Sequence, residues 1–241
     1  MPSLRDHKVW WCLWACSGVG CFTSMLTAQA PVVAAKQAQS LARILSSVLD
    51  RLPDSRTAAE QGLERLHQIG NVPGLAEAFG VHSADSLQSS TLGLPFGVLR
   101  VHLAALKAFQ DTTDPASLLT DARMTEYTVC VGGKPRLVIV VEGTSGDGWT
   151  VAETGGPTRA QSFSADMCPP SKVNSFQRRA FLVEIEHTRV SLIGRWVANE
   201  FTLTPLTDYP ELHWTRSEPR SAKNAFSSLT RIATYNDQRP D

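Results

Sequence analysis

The stretch Arg136-Leu-Val-Ile-Val-Val-Glu142 narrows the possible folds more than any other part of the chain. Residues 137 to 141 are all apolar, and all but Leu137 are β-branched. Side chains on a strand alternate between the two faces of its sheet, so a strand with no polar position must be covered on both. Its flanks are turns: Gly132-Gly133-Lys134-Pro135 before it, and Gly143-Thr-Ser-Gly-Asp-Gly148 after it. Glu126 to Val131 alternates on one side, and Trp149 to Glu153 has strand composition on the other. The three segments predict a meander of hairpins. Its middle strand needs helices over one face and a loop or second layer over the other.

Helices to provide that cover are legible at both ends. Leu41, Ile44, Leu45, Val48, Leu49 and Leu52 recur at spacings of three and four, which predicts an amphipathic helix over 32–52. Leu52-Pro53-Asp54-Ser55 reads as its stop, with a second helix from about Arg56 to Gln68. Asn71 to Gly93 reads as a junction holding one short helix near Leu75 to Phe79. A strand is expected from Phe96 to Leu103, then short helical pieces at Ala104 to Gln110 and Ala116 to Leu119. Past the meander, Thr158 to Asn174 reads as a short helix and an ordered loop around Cys168-Pro169-Pro170. Strands are expected at Ala180 to Glu186, Arg189 to Val197 and Phe201 to Thr204, and an amphipathic helix from Pro219 to about Thr234. The predicted class is α+β, with N-terminal helices, an antiparallel β-meander sheet and a C-terminal helix. The expected divisions are 1–30, a helical region 31–93 and a sheet domain 94–241.

The first thirty residues have the parts of a secretory signal. Arg5 and Lys8 precede an apolar core from Val9 to about Leu26, and Ala28-Gln29-Ala30 supplies small residues for cleavage. Pro31 is unfavourable just past that bond, and Val33-Ala34-Ala35 offers a second site. Two alternatives stand beside cleavage: acylation of Cys16 in the lipobox-like Leu13-Trp14-Ala15-Cys16, or retention of the segment as a membrane anchor. The expected location is therefore periplasmic or extracellular, with contact to membrane only through this segment.

Cys12, Cys16 and Cys21 fall inside the signal, leaving Cys130 and Cys168, which in an oxidising compartment are expected to form one disulfide. Removal of residues 1–30 takes away Arg5, Lys8 and Asp6 and leaves the charge balance within one of zero. Such a chain has no field with which to recruit nucleic acid.

Catalytic and cofactor motifs are missing from the sequence. Gly143-Thr144-Ser145-Gly146-Asp147 approaches a nucleophile elbow but lacks the final glycine, and reads as a turn. His67, His82, His102, His187 and His213 show no pair at metal-binding helical spacing. Glu184 and Glu186 would share a strand face, with Arg178, Arg179 and Arg189 nearby to balance them. No phosphate loop or dinucleotide fingerprint is present, so no cofactor is expected. Trp149 and Trp196, at strand ends, are expected to close the rim of a core. Trp214 and its neighbour His213, between sheet and helix, are the candidate binding surface, with Trp214 partly exposed.

Tyr127 to Val141, followed by Asp147-Gly-Trp-Thr-Val-Ala-Glu-Thr-Gly-Gly156, resembles the strand–turn–strand–turn–strand pattern of uncharacterised exported bacterial proteins. More loosely it is similar to cystatin-like and PepSY-like modules. That resemblance implies inhibition or regulation of envelope proteases, or ligand binding. The Gln-x-Val-x-Gly inhibitory motif of cystatins is absent, and no functional residue carries over. The leading expectation is an exported, non-enzymatic envelope protein that acts by binding or regulating another protein. The alternatives are a protein that binds a small apolar ligand, and a hydrolase with a site assembled from distant loops.

Overall fold

The computed structural model describes residues 39, 42–70, 72, 74–79, 81, 87–146, 148–168, 180–197 and 200–237. The segment read as an export signal lies outside them, as do His82, Arg178 and Arg179. Among the described residues no helix is long and apolar enough to cross a membrane.

Among the described residues eight strands form one sheet. They are β1 (Thr91–Val101), β2 (Leu119–Val131), β3 (Lys134–Gly143), β4 (Trp149–Gly155), β5 (Ala180–Ile185), β6 (Ser191–Val197), β7 (Glu200–Pro205) and β8 (Arg220–Ser221). Their order across the sheet is β4-β3-β2-β1-β5-β6-β7-β8. Each half is an antiparallel meander, and the halves meet where β1 and β5 run parallel, Val98 opposite Leu182 and Leu99 opposite Val183. The class is α+β as expected, but the sheet is mixed. Parallel neighbours need a long crossover, and the chain between β4 and β5 supplies it.

The hairpin between β2 and β3 turns on Gly132 and Gly133, at φ 57° and 73°. Two consecutive left-handed residues make a tight turn that matches strand twist, and glycine adopts them without steric cost. The apolar run is central: Leu137, Val138, Ile139 and Val141 are fully buried and Val140 nearly so.

Directly opposed residues share a face, so the registers divide the sheet into two. Tyr127, Val129, Leu137, Ile139 and Val141 lie on the helix-covered face and pack under α2 (Leu52–Ile69), which buries Ala58, Ala59 and Leu66 against them. Further along that face, Leu99, Val101, Phe181, Val183 and Leu203 meet α6 (Ala222–Asp237) through Ala225, Phe226 and Leu229. The short α4 (Leu103–Lys107) adds Leu106. A helical segment over 42–50, α1, precedes α2, and α3 (Leu75–Ala78) follows it. α1 stops ahead of Pro53 as expected, at residue 50, and α2 begins at Leu52 rather than Arg56; Pro53 stands in its first turn, where its missing N–H would have had no partner.

The opposite face is covered by a strap, residues 157–168. It begins in α5 (Pro157–Ala160) and buries Ala160, Phe163 and Met167 against Phe96, Val98, Val138 and Leu182. Phe163 stacks on Phe96, with ring centroids 5.3 Å apart. At one end the strap is tied to β2 by Cys130 and Cys168, which lie at disulfide distance with Cα atoms 5.8 Å apart. At the other end Arg159 pairs with Glu126 of β2 and Glu184 of β5.

Candidate functional site

Pro95, Phe96 and Gly97 interrupt the middle of β1. Proline and glycine inside a strand mark an irregular edge or a close approach of another element. Here the approach is real: a Cβ on Gly97 would overlap the Val48 side chain of α1. α1 therefore crosses over bare backbone, and a cleft opens between the helices and the sheet beside that crossing.

The cleft has a volume of about 460 Å3. Leu45, Val48, Leu49 and Leu52 form its helical wall, and Leu94, Pro95 and Gly97 of β1 its floor. Phe181 and Ala180 of β5 close the far side. Leu49, at the mouth, is 37% exposed. Polar groups enter at one end only. The Tyr127 hydroxyl lies 2.9 Å from Ser55 Oγ and donates to the Leu52 carbonyl at 3.2 Å. Burial pushes the Tyr127 phenol above its ordinary value, against the pull of the Ser55 bond. Arg56 stands at the same end, exposed, with Nε 2.8 Å from Glu60 Oε1.

Two polar clusters lie elsewhere. In the first, the His102 ring bridges Glu186 and Thr120, with Nδ1 3.1 Å from Glu186 Oε2 and Nε2 3.3 Å from Thr120 Oγ1. The contact from His102 and the Leu103 N–H hold the Glu186 carboxyl below the usual glutamate range. A hydroxyl, an imidazole and a carboxylate in line have the composition of a nucleophilic triad. The Thr120 hydroxyl, however, donates to the Arg100 carbonyl at 3.0 Å, so its proton is not directed at the ring.

The second cluster is the tie of the strap. Arg159 Nε donates to Glu126 Oε1 at 2.8 Å, and Nη2 donates to Glu184 Oε1 at 2.7 Å. Nη2 also lies 2.5 Å from Glu126 Oε2, but that oxygen receives no directed hydrogen bond. Glu126 is 1% exposed. Burial raises its carboxyl above the ordinary range despite the attraction of Arg159, because one guanidinium is shared between two carboxylates. The pairing in turn holds Arg159 firmly protonated, its pKa raised further above that of a free guanidinium.

The residues singled out in the sequence are dispersed. Glu184 and Glu186 do not act together: one binds Arg159, the other His102. Ser145 is exposed in the turn before β4. His67 contacts Ser90 Oγ at 3.1 Å, and His187 is exposed in the turn after β5. Trp149 and Trp196 sit half-buried at the margins of the core. Trp214 is not partly exposed as expected. It is 4% exposed, edge-on to Tyr209 with ring centroids 6.3 Å apart, and Arg220 stands over its ring at 5.5 Å. Its amide and carbonyl both bond Tyr209, which draws the indole inward. His213 beside it is exposed, with φ 54°. No group of three metal-ligating side chains is present among the described residues.

The cleft escaped the sequence reading because its walls come from segments far apart in the chain. Its only local signal was the Pro95 and Gly97 pair within an apolar strand. Compared with family models, curated proteins and solved structures, the chain matches none.

Proposed function

We propose that this is an exported, non-enzymatic binding protein whose occupant is a small apolar molecule held between α1, α2 and β1. The observation that carries the reading is the cleft of about 460 Å3, walled by aliphatic and aromatic side chains with polar groups at one end. Its size and lining are those of small-molecule sites, which are concave, mostly apolar and largely formed before binding. Export is supported by the close approach of Cys130 and Cys168 and by the composition of residues 1–30. A binding role is favoured over hydrolysis because the hydroxyl–imidazole–carboxylate chain of Thr120, His102 and Glu186 has its hydroxyl proton turned to a backbone carbonyl. Recruitment of a protein strand is less favoured: at the β4 edge the register with β3 breaks between Val140 and Val141, and such bulges discourage edge pairing.

The test is titration of the protein with N-phenyl-1-naphthylamine, a neutral apolar fluorophore. Saturable enhancement at one probe per chain is expected, and Leu49→Glu should abolish it while leaving thermal stability unchanged, since Leu49 is already exposed. A linear, non-saturating response, or full binding by Leu49→Glu, would overturn the reading.

A further inference from the structure

The wall that α1 and α2 give to the apolar cleft is one helical row that changes character at its last position. Leu45, Leu49, Leu52 and Arg56 follow one another at spacings of four, three and four residues. Arg51, between the two helices, keeps helical dihedrals at φ −93° and ψ −11°, so the row runs on from one helix into the next. At the helical rise per residue it extends about 16 Å, a length better suited to an extended chain than to a compact molecule. Arg56 stands where a further apolar residue would continue the stripe. Among the described residues lining the cleft it is the one charged side chain, and no carboxylate lies with it in the lining.

The other polar groups at that end have no proton to spare. The Tyr127 hydroxyl donates to the Leu52 carbonyl, and the Ser55 hydroxyl lies 3.0 Å from the same carbonyl and 2.9 Å from Tyr127. Whichever way Ser55 turns, both protons stay within this trio. Burial raises the Tyr127 phenol, and the Ser55 bond and then the Arg56 charge act against it, so the guanidinium is within electrostatic reach of the hydroxyl pair. Arg56 itself is only partly engaged. Its Nε donates to Glu60 Oε1 at 2.8 Å, and among the described residues Nη1 and Nη2 have no acceptor. Two parallel N–H bonds of a guanidinium form a planar fork that matches the two oxygens of a carboxylate. With Nε taken by Glu60, the fork that remains is the Nη1–Nη2 edge. It suits a monoanion, because the second charge of a dianion would face Glu60 without a cation of its own.

We propose that the occupant of the cleft is a single-chain amphiphile with a terminal carboxylate, its chain lying along the leucine row and its head paired with the Nη1–Nη2 edge of Arg56. The inference rests on the reading of the cleft as a small-molecule site and adds the chemistry of the head group. A neutral head would leave that edge of the guanidinium to water, and a cationic head would be repelled by it.

The test is calorimetric titration of the protein at pH 7.5 and low salt with decanoate, decanol and decylammonium, which share one chain length, each below its micelle concentration. Decanoate is expected to bind about fivefold more tightly than decanol, the upper range for an ion pair at an exposed position. Decylammonium should bind more weakly than decanol. Arg56→Gln should bring the ratio of decanoate to decanol affinity to about one. Glu60→Gln, which removes the competing carboxylate, should raise that ratio. The Arg56 and Glu60 side chains are 52% and 56% exposed, and thermal unfolding of each variant confirms that the fold is kept. The proposal is overturned if decanoate binds no more tightly than decanol, if Arg56→Gln keeps the preference, if Glu60→Gln does not raise it, or if none of the three amphiphiles saturates. In any of these cases saturable binding of the naphthylamine probe leaves the cleft standing as an apolar site, whereas its loss as well removes both readings.

Discussion

Replacing Arg159 by methionine removes the cation that holds the strap to the sheet, and the structure sets the size and pH dependence of the effect. The variant loses the bonds at 2.8 and 2.7 Å to Glu126 and Glu184 and the close ion pair to Glu126 Oε2. Glu184 is 24% exposed and can recover water, but Glu126, at 1%, cannot. Breaking a buried pair by deleting one partner typically costs 3–5 kcal/mol, and the partial exposure of Arg159 and Glu184 places this case near the lower end, about 3 kcal/mol at pH 7.5. Removing the stranded charge as well should reverse most of the loss. Glu126→Met with Arg159→Met is expected to lie within about 1 kcal/mol of the parent, since well-packed apolar replacements of buried ion pairs are often neutral. The sign of the pH effect follows from Glu126. A carboxyl raised in the folded state contributes stability that is fully present below its unfolded value, near pH 4.5, and lost as pH rises through the folded value. With Arg159 gone the carboxyl rises further, so the deficit of the single variant should be smaller at pH 5 than at pH 8. Urea denaturation with the disulfide intact, followed by tryptophan fluorescence, measures all three proteins. A deficit below about 1 kcal/mol, equal deficits in the single and double variants, or a deficit unchanged between the two pH values would refute the reasoning.

Two further perturbations probe the strap and the crossing of α1. Peptide mapping without reduction should recover Cys130 linked to Cys168, and replacing both with alanine should cost about 4 kcal/mol on the chain-entropy account for a separation of 38 residues; recovery of both as free thiols would contradict the pairing. Gly97→Ala places a methyl group against Val48 and should destabilise the protein by about 1–3 kcal/mol through overpacking, or lift α1 and lower affinity for the naphthylamine probe. An unchanged melting temperature together with unchanged probe binding would show that α1 does not press on β1.

Much of the fold could be read locally. The run from Leu137 to Val141 demanded cover on both faces, and it has α2 on one and the strap on the other. The hairpin at Gly132 and Gly133, the strands of both meanders other than β8, which falls where the C-terminal helix was expected to begin, and that helix itself follow from short-range periodicity and turn chemistry. The second helix begins at Leu52 rather than Arg56 because proline, which breaks a helix interior, is tolerated in a first turn. Trp214 was misread because its burial comes from Tyr209 and Arg220 around a reversing loop. The candidate sites were the least legible. The apolar cleft joins residues 45–53 to 94–97 and 180–181.

The sequence by itself determined the α+β class, the strand meanders and the two cysteines available for pairing, because each depends on alternation, spacing or composition within a short window. Tertiary structure alone decided that the two meanders join through a parallel seam, that Glu126 is buried beside a shared arginine, and that an apolar cleft opens beside the crossing of α1 over β1. These depend on which distant segments pack together. Side-chain periodicity specifies which face of an element is buried, but the partner of that face is set by the packing of the whole chain.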